Sequence, residues 1–317
     1  MTKVAIIGAG AVGMTYANTL VAADLIDEIA IIDINKERTE ANAWDLRHSL
    51  PYLKSSAKQI YSADYETCQN ADIVVITANA RAATFDGDMD RLKLLEANVS
   101  MIKSITERVM ASGFNGVFLV ASNPVDVISQ VIAEVSGLPK GQVIGTGTLL
   151  ETARLRDMIA EEVVVDPKNI HGYVLGEHGN SSFAAWSNLS IGSLPLTKWL
   201  ERHPESKLAD FDYFDNRVRE IGFDIFNGKG NTSYGIASVL ARLTVAITRN
   251  EQALLPVSAY MTGHYGIKDV YIGAPCVIGK NGVREIFELN YLKKKLRLTK
   301  KSAAILKENF SSIKHQI

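Results

Sequence analysis

The chain has 317 residues, of which 47% are hydrophobic and 22% are charged, and its formal net charge is -1. At roughly 150 residues per domain this length predicts about two domains, and the composition is that of a globular chain, neither disordered nor fibrous. The near balance of charge gives no strong field for binding nucleic acid or an anionic membrane, so a small-molecule partner is favoured. Cys68 and Cys276 provide neither a disulfide framework nor a metal-binding pair. We therefore expect a cytoplasmic protein without a metal site.

The N-terminal apolar run is short and is broken by Gly8, which predicts no secretory signal. Elsewhere the apolar stretches are interrupted by charged residues before they reach the 18 or more residues typical of a membrane span. The sequence therefore predicts neither export nor membrane insertion.

The first half of the chain alternates short apolar runs with amphipathic stretches, a pattern typical of parallel strands joined by crossover helices. The apolar runs are rich in Val and Ile, as strands buried on both faces require. The predicted strands are residues 3–7, 28–32, 73–76, 117–121 and 143–144, and the predicted helices include 11–22 and 90–110. This half therefore predicts an α/β fold with a doubly wound parallel sheet.

The second half is less regular. It predicts a helix over 149–160, short strands around Tyr173, Trp186 and Ile272, and a long C-terminal helix from Lys300. We therefore predict a mixed α+β domain over residues 146–317, after a first domain over 1–145. Six basic residues between 292 and 301 could be taken as a nucleic-acid patch, but a solvated helix is favoured because no aromatic residue interleaves them.

A glycine-rich hexamer, GAGAVG at 8 to 13, follows the first predicted strand and opens a helix. Its first and second glycines permit a tight turn and close approach of a pyrophosphate, and its third permits close helix packing. Asp33 follows the second strand, 20 residues beyond Gly13, where a carboxylate can bind an adenosine ribose and repel a 2′-phosphate. The first domain is thus predicted to be a Rossmann domain that binds NAD rather than NADP.

A histidine lies between glycines in the second half, in GEHGN at 176 to 180. A lone histidine is more often structural, but Glu151 and Arg154 lie three residues apart near one face of the preceding helix. His178 could transfer a proton, and Arg154 could bind a carboxylate through two parallel hydrogen bonds. The spacing from Thr148 to Glu151 also fits a capping box, so Glu151 either orients His178 or caps the helix.

These two motifs and four others together resemble the L-lactate/malate dehydrogenase superfamily, and within it most closely the bacterial L-2-hydroxyisocaproate dehydrogenases and L-lactate dehydrogenases. The resemblance covers nearly the whole chain. Its motifs are GAGAVG at 8 to 13, IIDIN at 31 to 35, ASNPVDV at 121 to 127, IGTGTLLETAR at 144 to 154, GEHGN at 176 to 180 and GKGNTSYGIA at 228 to 237. It implies an NAD-dependent oxidoreductase of 2-oxo and 2-hydroxy acids that assembles as a homotetramer or homodimer, with residues 146–317 as the catalytic domain.

The resemblance also implies site residues. Those at the cofactor are Gly8, Gly10, Ala11, Val12, Gly13, Asp33, Thr77, Ala78, Asn98 and Asn123. Those at the substrate are His178 as proton donor, Glu151 as its partner, Arg154 as the carboxylate ligand, and Asn123 and Thr232 beside it. Arg91 resembles the family's mobile-loop arginine that polarises the carbonyl, although the sequence pattern without the resemblance favours an exposed residue at a helix start.

Two positions depart from the family pattern. Glu151 stands where the family usually has Asp, so the carboxylate is one methylene longer. Asn79 stands where Gly is usual in a turn against the cofactor, and Asn tolerates the left-handed backbone better than most residues.

The lid selects the substrate in this family, with Gln in lactate enzymes and Arg in malate enzymes. The matching position here is Ala82, and a malate-type contact from Arg81 would need a register shift. The lid is longer than the lactate pattern and apolar, and Gly235 removes bulk from the implied pocket wall. We therefore expect a preference for 2-oxo acids with branched or extended apolar side chains, such as 2-oxoisocaproate. The alternatives are an L-lactate dehydrogenase and, from another class, a noncatalytic NAD-sensing protein.

Arg156 and His171 match positions where allosteric bacterial lactate dehydrogenases bind fructose 1,6-bisphosphate across a subunit interface. Arg156 lies two residues from Arg154 and so points to another side of the helix. The resemblance thus suggests the hypothesis that this bisphosphate regulates the protein. Two basic residues alone make a weak phosphate site, however, so an ordinary interface or solvent contact is favoured for them.

Overall fold

The computed structural model describes residues 1–54, 57, 59–80, 91–290 and 293–317, with the backbone alone at 91–94 and 293–295. Six parallel strands form the first part of its large sheet. They are β1 (Lys3–Ile7), β2 (Glu28–Ile32), β3 (Gln59–Ser62), β4 (Ile73–Ile76), β5 (Val117–Val120) and β6 (Val143–Gly145). Their order in the sheet is β3-β2-β1-β4-β5-β6. This is the doubly wound arrangement that the sequence predicted, and it places the carboxyl ends of β1 and β4 side by side.

Helices connect these strands and cover the sheet. They are α1 (Ala11–Ala22), α2 (Lys36–Ser49), α3 (Arg91–Ala111) and α4 (Val125–Ser136). All four residues of β4 and of β5 are buried, because helices lie on both faces of the sheet. With both faces covered, the loops at the carboxyl ends of the strands remain, and ligands bind there in sheets of this kind.

The second half of the chain begins with α5 (Leu149–Val163) and continues through short strands into helices. The short strands are β7 (Ile170–His171), β8 (Val174–Leu175), β9 (Phe183–Ala184), β10 (Ser190–Ile191) and β11 (Leu194–Pro195). The next helices are α6 (Leu196–Arg202), α7 (Phe211–Lys229) and α8 (Tyr234–Thr248). A buried hydrogen bond of 2.5 Å between the hydroxyls of Tyr16 and Thr244 joins α1 to α8.

Three long strands then extend the large sheet, and a helix ends the chain. They are β12 (Ala253–Thr262), β13 (Lys268–Gly279), β14 (Gly282–Ile286) and α9 (Lys293–Ile313). Strand β12 runs antiparallel to β6, pairing Ser258 with Gly145, and β13 and β14 follow in antiparallel order. The sheet thus crosses the predicted boundary between residues 145 and 146, and the division into 1–145 and 146–317 stays a prediction.

The second half differs in detail from expectation at two places. Short strands lie around Trp186, but Trp186 itself is in a short 3-10 helix, Trp186–Asn188, between β9 and β10, and its indole stacks on Phe211 with ring centroids 4.6 Å apart. The last helix starts at Lys293, not Lys300, and so includes most of the basic segment. Among the helices of the described residues, none is both long enough and apolar enough to cross a membrane.

Candidate active site

The glycine-rich loop connects β1 to α1 in a conformation that needs two of its three glycines. Gly8 has a φ of +111°, and a Cβ there would lie 2.7 Å from the backbone nitrogen of Ala78. A Cβ at Gly13 would lie 2.1 Å from the carbonyl oxygen of Gly8. Gly10 differs, because a Cβ there would meet no atom within 4 Å. The loop is therefore closely packed at Gly8 and Gly13 and open at Gly10, the position that the sequence predicts to lie next to a pyrophosphate.

The start of α1 leaves its N–H groups available. Gly10 is the N-cap residue, and in this fully described helix no side chain caps the first turn, which carries no acidic residue and opens with Ala11 and Val12. The first N–H groups of a helix have no partner within it, and the helix dipole favours an anion there. An anionic pyrophosphate fits this loop, so the residues present are compatible with a dinucleotide.

Asp33 lies beside the same loop. Its Oδ2 accepts a hydrogen bond of 2.7 Å from the backbone N–H of Ala9, and its Oδ1 accepts one of 3.0 Å from that of Asn35. These bonds fix the carboxylate at the carboxyl end of β2, next to the glycines, and each oxygen retains a lone pair for a further donor. The arrangement suits an adenosine ribose hydroxyl and disfavours a phosphate on it.

Side chains link the ends of β1, β4 and β5. The hydroxyl of Thr77 donates to the carbonyl of Gly8 at 3.0 Å. The buried Asn98 accepts from the backbone N–H of Ala80 at 2.6 Å and donates to the backbone carbonyl of Asn123 at 3.1 Å. The predicted cofactor residues Gly8, Thr77, Ala78, Asn98 and Asn123 therefore lie at one edge of the sheet.

Asn79 completes this edge in a way that the sequence did not predict. Its backbone is not left-handed, so the conformational argument for Asn over other residues was wrong. Instead its side-chain oxygen accepts a hydrogen bond of 3.1 Å from the backbone N–H of Asn123. An amide in place of the usual glycine thus ties two loops together.

His178 and Glu151 form a close pair in the second half. Glu151, on the first turn of α5, places Oε1 2.7 Å from Nδ1 of His178. The carboxylate is nearly buried, whereas 28% of the imidazole side chain is exposed. The side chain of Thr148 caps nothing, so the alternative of a capping box is not realised here. The second ring nitrogen of His178, Nε2, is the one that remains to face a reactant.

Arg154 lies one turn further along the same helix. Its guanidinium comes within 3.8 Å of Glu151 Oε1 and is 14% exposed. It passes close to Gly222 of α7, where a Cβ would lie 3.2 Å from both terminal nitrogens. The imidazole and the guanidinium thus both lie next to one carboxylate, an arrangement that suits a small molecule with a carboxylate and a reactive oxygen.

The charges of this cluster support one another. Burial alone would lower the pKa of His178, but the charge and contact of Glu151, with a further contribution from Asp126, outweigh burial and raise it to about 9. Burial likewise opposes ionisation of Glu151, yet His178 and then Arg154 outweigh it and lower its pKa. The pair is therefore an ion pair near neutral pH, with a protonated imidazole ready to donate.

The remaining predicted site residues lie near the start of α8, at the start of α3 and in the lid. Thr232 is half-buried between α7 and α8, and the start of α8 meets α5, because a Cβ at Gly235 would lie 2.8 Å from the side chain of Leu150. Arg91 begins α3, but its side chain is outside the described residues, as are Arg81 and Ala82 of the lid.

The two residues considered for regulation lie away from this cluster. Arg156 is half-buried, donates to the carbonyl of Gly172 at 3.2 Å and has a buried Nε without a partner in the described residues. Burial lowers its pKa. His171, next to Gly172, is exposed.

Sequence reasoning missed Asp126. This carboxylate is 2% exposed and accepts hydrogen bonds from the backbone N–H of His178 and from the hydroxyl of Ser258. The only local signal is a charged residue inside an otherwise apolar helix start, ASNPVDV, where no spacing indicates a partner.

A doubly wound sheet with an open glycine loop, beside an ion-paired histidine and an arginine, defines a dinucleotide-binding protein with a site for acid–base chemistry. The comparisons agree. The family described as lactate/malate dehydrogenase, NAD binding domain, matches residues 2–145, and its alpha/beta C-terminal domain matches residues 148–317. The chain belongs to the lactate/malate dehydrogenase family.

Individual relatives span nearly the whole chain. L-lactate dehydrogenase 1 of Listeria monocytogenes is 46% identical over 315 residues, covering 99% of this chain and 98% of its own. L-lactate dehydrogenase of Lacticaseibacillus casei is 44% identical over 306 residues, 96% of this chain and 92% of its own. A solved lactate dehydrogenase from a Medee basin deep-sea metagenome library superposes with a TM-score of 0.95 at 39% identity, covering 99% of both chains. The protein is thus an NAD-dependent oxidoreductase that acts on the CH–OH group of L-2-hydroxy acids.

Proposed function

We propose that the protein is an L-lactate dehydrogenase, which reduces pyruvate to L-lactate reversibly. The observation that carries the proposal is the cluster formed by two residues of α5 and the histidine loop, in which Glu151 Oε1 lies 2.7 Å from His178 and 3.8 Å from Arg154. The names of relatives at 42–46% identity, which are L-lactate dehydrogenases, support this function better than that of a specialised 2-hydroxyisocaproate dehydrogenase.

The chemistry follows from the groups present. When bound, NADH supplies the hydride for the carbonyl carbon. His178, protonated because Glu151 faces its Nδ1, donates a proton from Nε2 to the carbonyl oxygen, and general acid catalysis of this kind contributes ~10²- to 10⁴-fold. Arg154 binds the carboxylate through a planar fork that lysine lacks. Glu151 orients the imidazole and stabilises its protonated form. In the reverse direction, neutral His178 accepts the proton.

The remaining assignments complete the same proposal. Gly8, Gly10, Ala11, Val12, Gly13 and Asp33 would hold the pyrophosphate and adenosine ribose of NAD. Thr77, Ala78, Asn98 and Asn123 would border the nicotinamide half, and Asn123 and Thr232 the substrate. Arg91 would polarise the carbonyl, as the family resemblance implies.

A preference for longer apolar substrates is the second candidate. Its support is the apolar composition of the lid, Ala82, Ala83 and Phe85. Gly235 adds none, because the space that its missing side chain leaves is filled by Leu150. Since one methylene is worth only ~1–3 kcal/mol of discrimination, overlapping activity toward both substrates is expected.

The test is a substrate panel followed by NADH absorbance, with pyruvate, 2-oxobutyrate, 2-oxoisocaproate, phenylpyruvate and oxaloacetate. A higher kcat/KM for pyruvate than for 2-oxoisocaproate supports the proposal, and the reverse order supports the second candidate. Faster turnover of oxaloacetate would favour a malate-type contact. NADH binding without oxidation by any of the five would instead identify a noncatalytic NAD sensor.

Assembly, location and regulation extend the proposal. We expect a cytoplasmic homotetramer or homodimer, to be measured by light scattering and fractionation. Arg156, whose guanidinium bonds the residue after His171, offers a cationic group for fructose 1,6-bisphosphate. Pyruvate saturation curves at mildly acidic pH that are identical with and without the bisphosphate would eliminate this regulation.

A further inference from the structure

Asp126 is a buried carboxylate that takes no part in the proposed hydride and proton transfer. It lies in the first turn of α4, three residues after Asn123, and is 2% exposed. Burying a carboxylate is costly unless its oxygens are hydrogen-bonded, so a residue of this kind indicates a specific task.

Both carboxylate oxygens have partners from distant parts of the chain. Oδ2 accepts a hydrogen bond of 2.8 Å from the backbone N–H of His178, 52 residues away. Oδ1 accepts one of 2.5 Å from the hydroxyl of Ser258 on β12, 132 residues away. Ser258 itself pairs with Gly145 at the end of β6, so the carboxylate is anchored to the large sheet.

The hydrogen bond to His178 bears on catalysis because it acts on the backbone of the proton donor. Glu151 holds the ring of this residue at Nδ1, and Asp126 holds its main chain. With one contact at the ring and one at the main chain, both the position of the His178 backbone and the orientation of its imidazole are fixed. The contact with Glu151 alone would leave the backbone of this loop free to move and the ring to move with it.

We propose that Asp126 is a positioning residue for the dehydrogenase reaction: through the backbone N–H of His178 and the hydroxyl of Ser258, it fixes the proton donor relative to the sheet edge that carries Asn123. The proposal rests on the proposed function. In this arrangement α4 and the loop that carries His178 form one rigid unit. The imidazole of His178 therefore keeps its distance from the reacting carbonyl group.

The charge of Asp126 adds a measurable signature. In the part of the chain that the structure describes, the charged groups that face His178 are Glu151 and Asp126, which favour the imidazolium, and Arg154, which disfavours it. Burial raises the pKa of Asp126 to about 6, its hydrogen bonds and His178 oppose this rise, and Glu177 adds to it. Asp126 is thus mainly ionised at neutral pH and contributes to the raised pKa of His178.

Two substitutions separate position from charge. Asp126→Asn can keep an acceptor toward the His178 N–H and, through its amide, a donor toward Ser258, and so removes the charge alone. Asp126→Ala removes both. We expect Asp126→Ala to lower kcat for pyruvate reduction by about 10- to 100-fold with a much smaller change in KM, because displacement by about 1 Å can cost this much. Asp126→Asn should lose less at mildly acidic pH and more as the pH rises.

The direct readout is an NMR titration of His178 in the protein without substrate, with the resonance assigned by His178→Gln. We expect the titration midpoint to move to lower pH in Asp126→Asn. The matched control is Glu134→Gln on the same helix, a partly exposed carboxylate paired with Lys140, which should leave kcat and the midpoint unchanged. NADH binding to each variant reports folding.

Ser258→Ala tests the same role of Asp126 if the Asp126 variants do not fold. It removes one donor to the carboxylate, so we expect the same direction of change in kcat and in the His178 midpoint, but smaller. An unchanged kcat together with an unchanged midpoint, in any folded variant at Asp126 or in Ser258→Ala, would overturn the proposal. A wild-type protein that oxidises NADH with none of the 2-oxo acids would refute the proposed function instead, while the NMR result would still test the link between Asp126 and His178.

Discussion

Replacing Glu151 by Gln removes the charge that faces His178 while preserving the length of the side chain. In the wild-type protein the pKa of His178 is about 9, against an ordinary value of 6.5. Without the carboxylate the opposing effect of burial remains, so the pKa should fall toward or below that ordinary value. At about pH 7.5 the imidazole would change from almost fully protonated to about one tenth protonated, so we expect kcat/KM for pyruvate reduction to fall about tenfold or more.

The pH dependence identifies the cause. In the wild type, reduction should persist up to about pH 9 and fall above it, because the protonated imidazole is the donor. In Glu151→Gln the fall should come at lower pH, so the loss relative to wild type should shrink under mildly acidic conditions. Steady-state kinetics across this range, with NADH in excess, measure both profiles.

The controls are on the same helix. Glu161→Gln changes an exposed carboxylate of α5 and should leave the profile unchanged. Glu151→Asp keeps the charge, but its shorter side chain places the carboxylate further from His178 Nδ1 than the 2.7 Å of the wild type. Its pH profile should therefore lie between those of the wild type and Glu151→Gln. Equal kcat/KM for wild type and Glu151→Gln at every pH, at equal folded content, would refute the assigned role of this carboxylate.

Three further results are expected. Gly13→Ala should prevent stable folding, because its Cβ would lie 2.1 Å from a carbonyl oxygen, whereas Gly10→Ala, with open space at 4 Å, should fold with a normal Tm and bind NADH more weakly in a fluorescence titration. Asp33→Ala should lower the ratio of KM for NADPH to KM for NADH, because the carboxylate that disfavours a phosphate on the ribose is removed. An unchanged ratio would show that Asp33 does not select the cofactor. Gly222→Ala should stabilise α7 by up to about 1 kcal/mol yet raise KM for pyruvate, because its Cβ lies 3.2 Å from the guanidinium of Arg154; an unchanged KM would show that Arg154 can move aside without cost.

The sequence by itself determined the elements whose signal is local. Strands β1, β2 and β4 and helix α1 have the predicted bounds, because composition, apolar periodicity and turn glycines act over a few residues. The chemistry of the site was also readable, because the order of its motifs resembles a family. Glu151 and Arg154 share a helix, so their proximity follows from a spacing of three residues.

Only the tertiary structure decided which distant groups meet. Asp126 bonds to residues 52 and 132 positions away, and nothing in its own segment indicates either partner. Asn79 was expected to serve through its backbone and instead binds Asn123 through its side chain. Trp186 lies in a 3-10 helix between two of the short strands, and its indole stacks on Phe211. Each outcome depends on packing between segments far apart in the chain, and short-range patterns carry no record of such contacts because the free energy that selects them appears only when the segments come together.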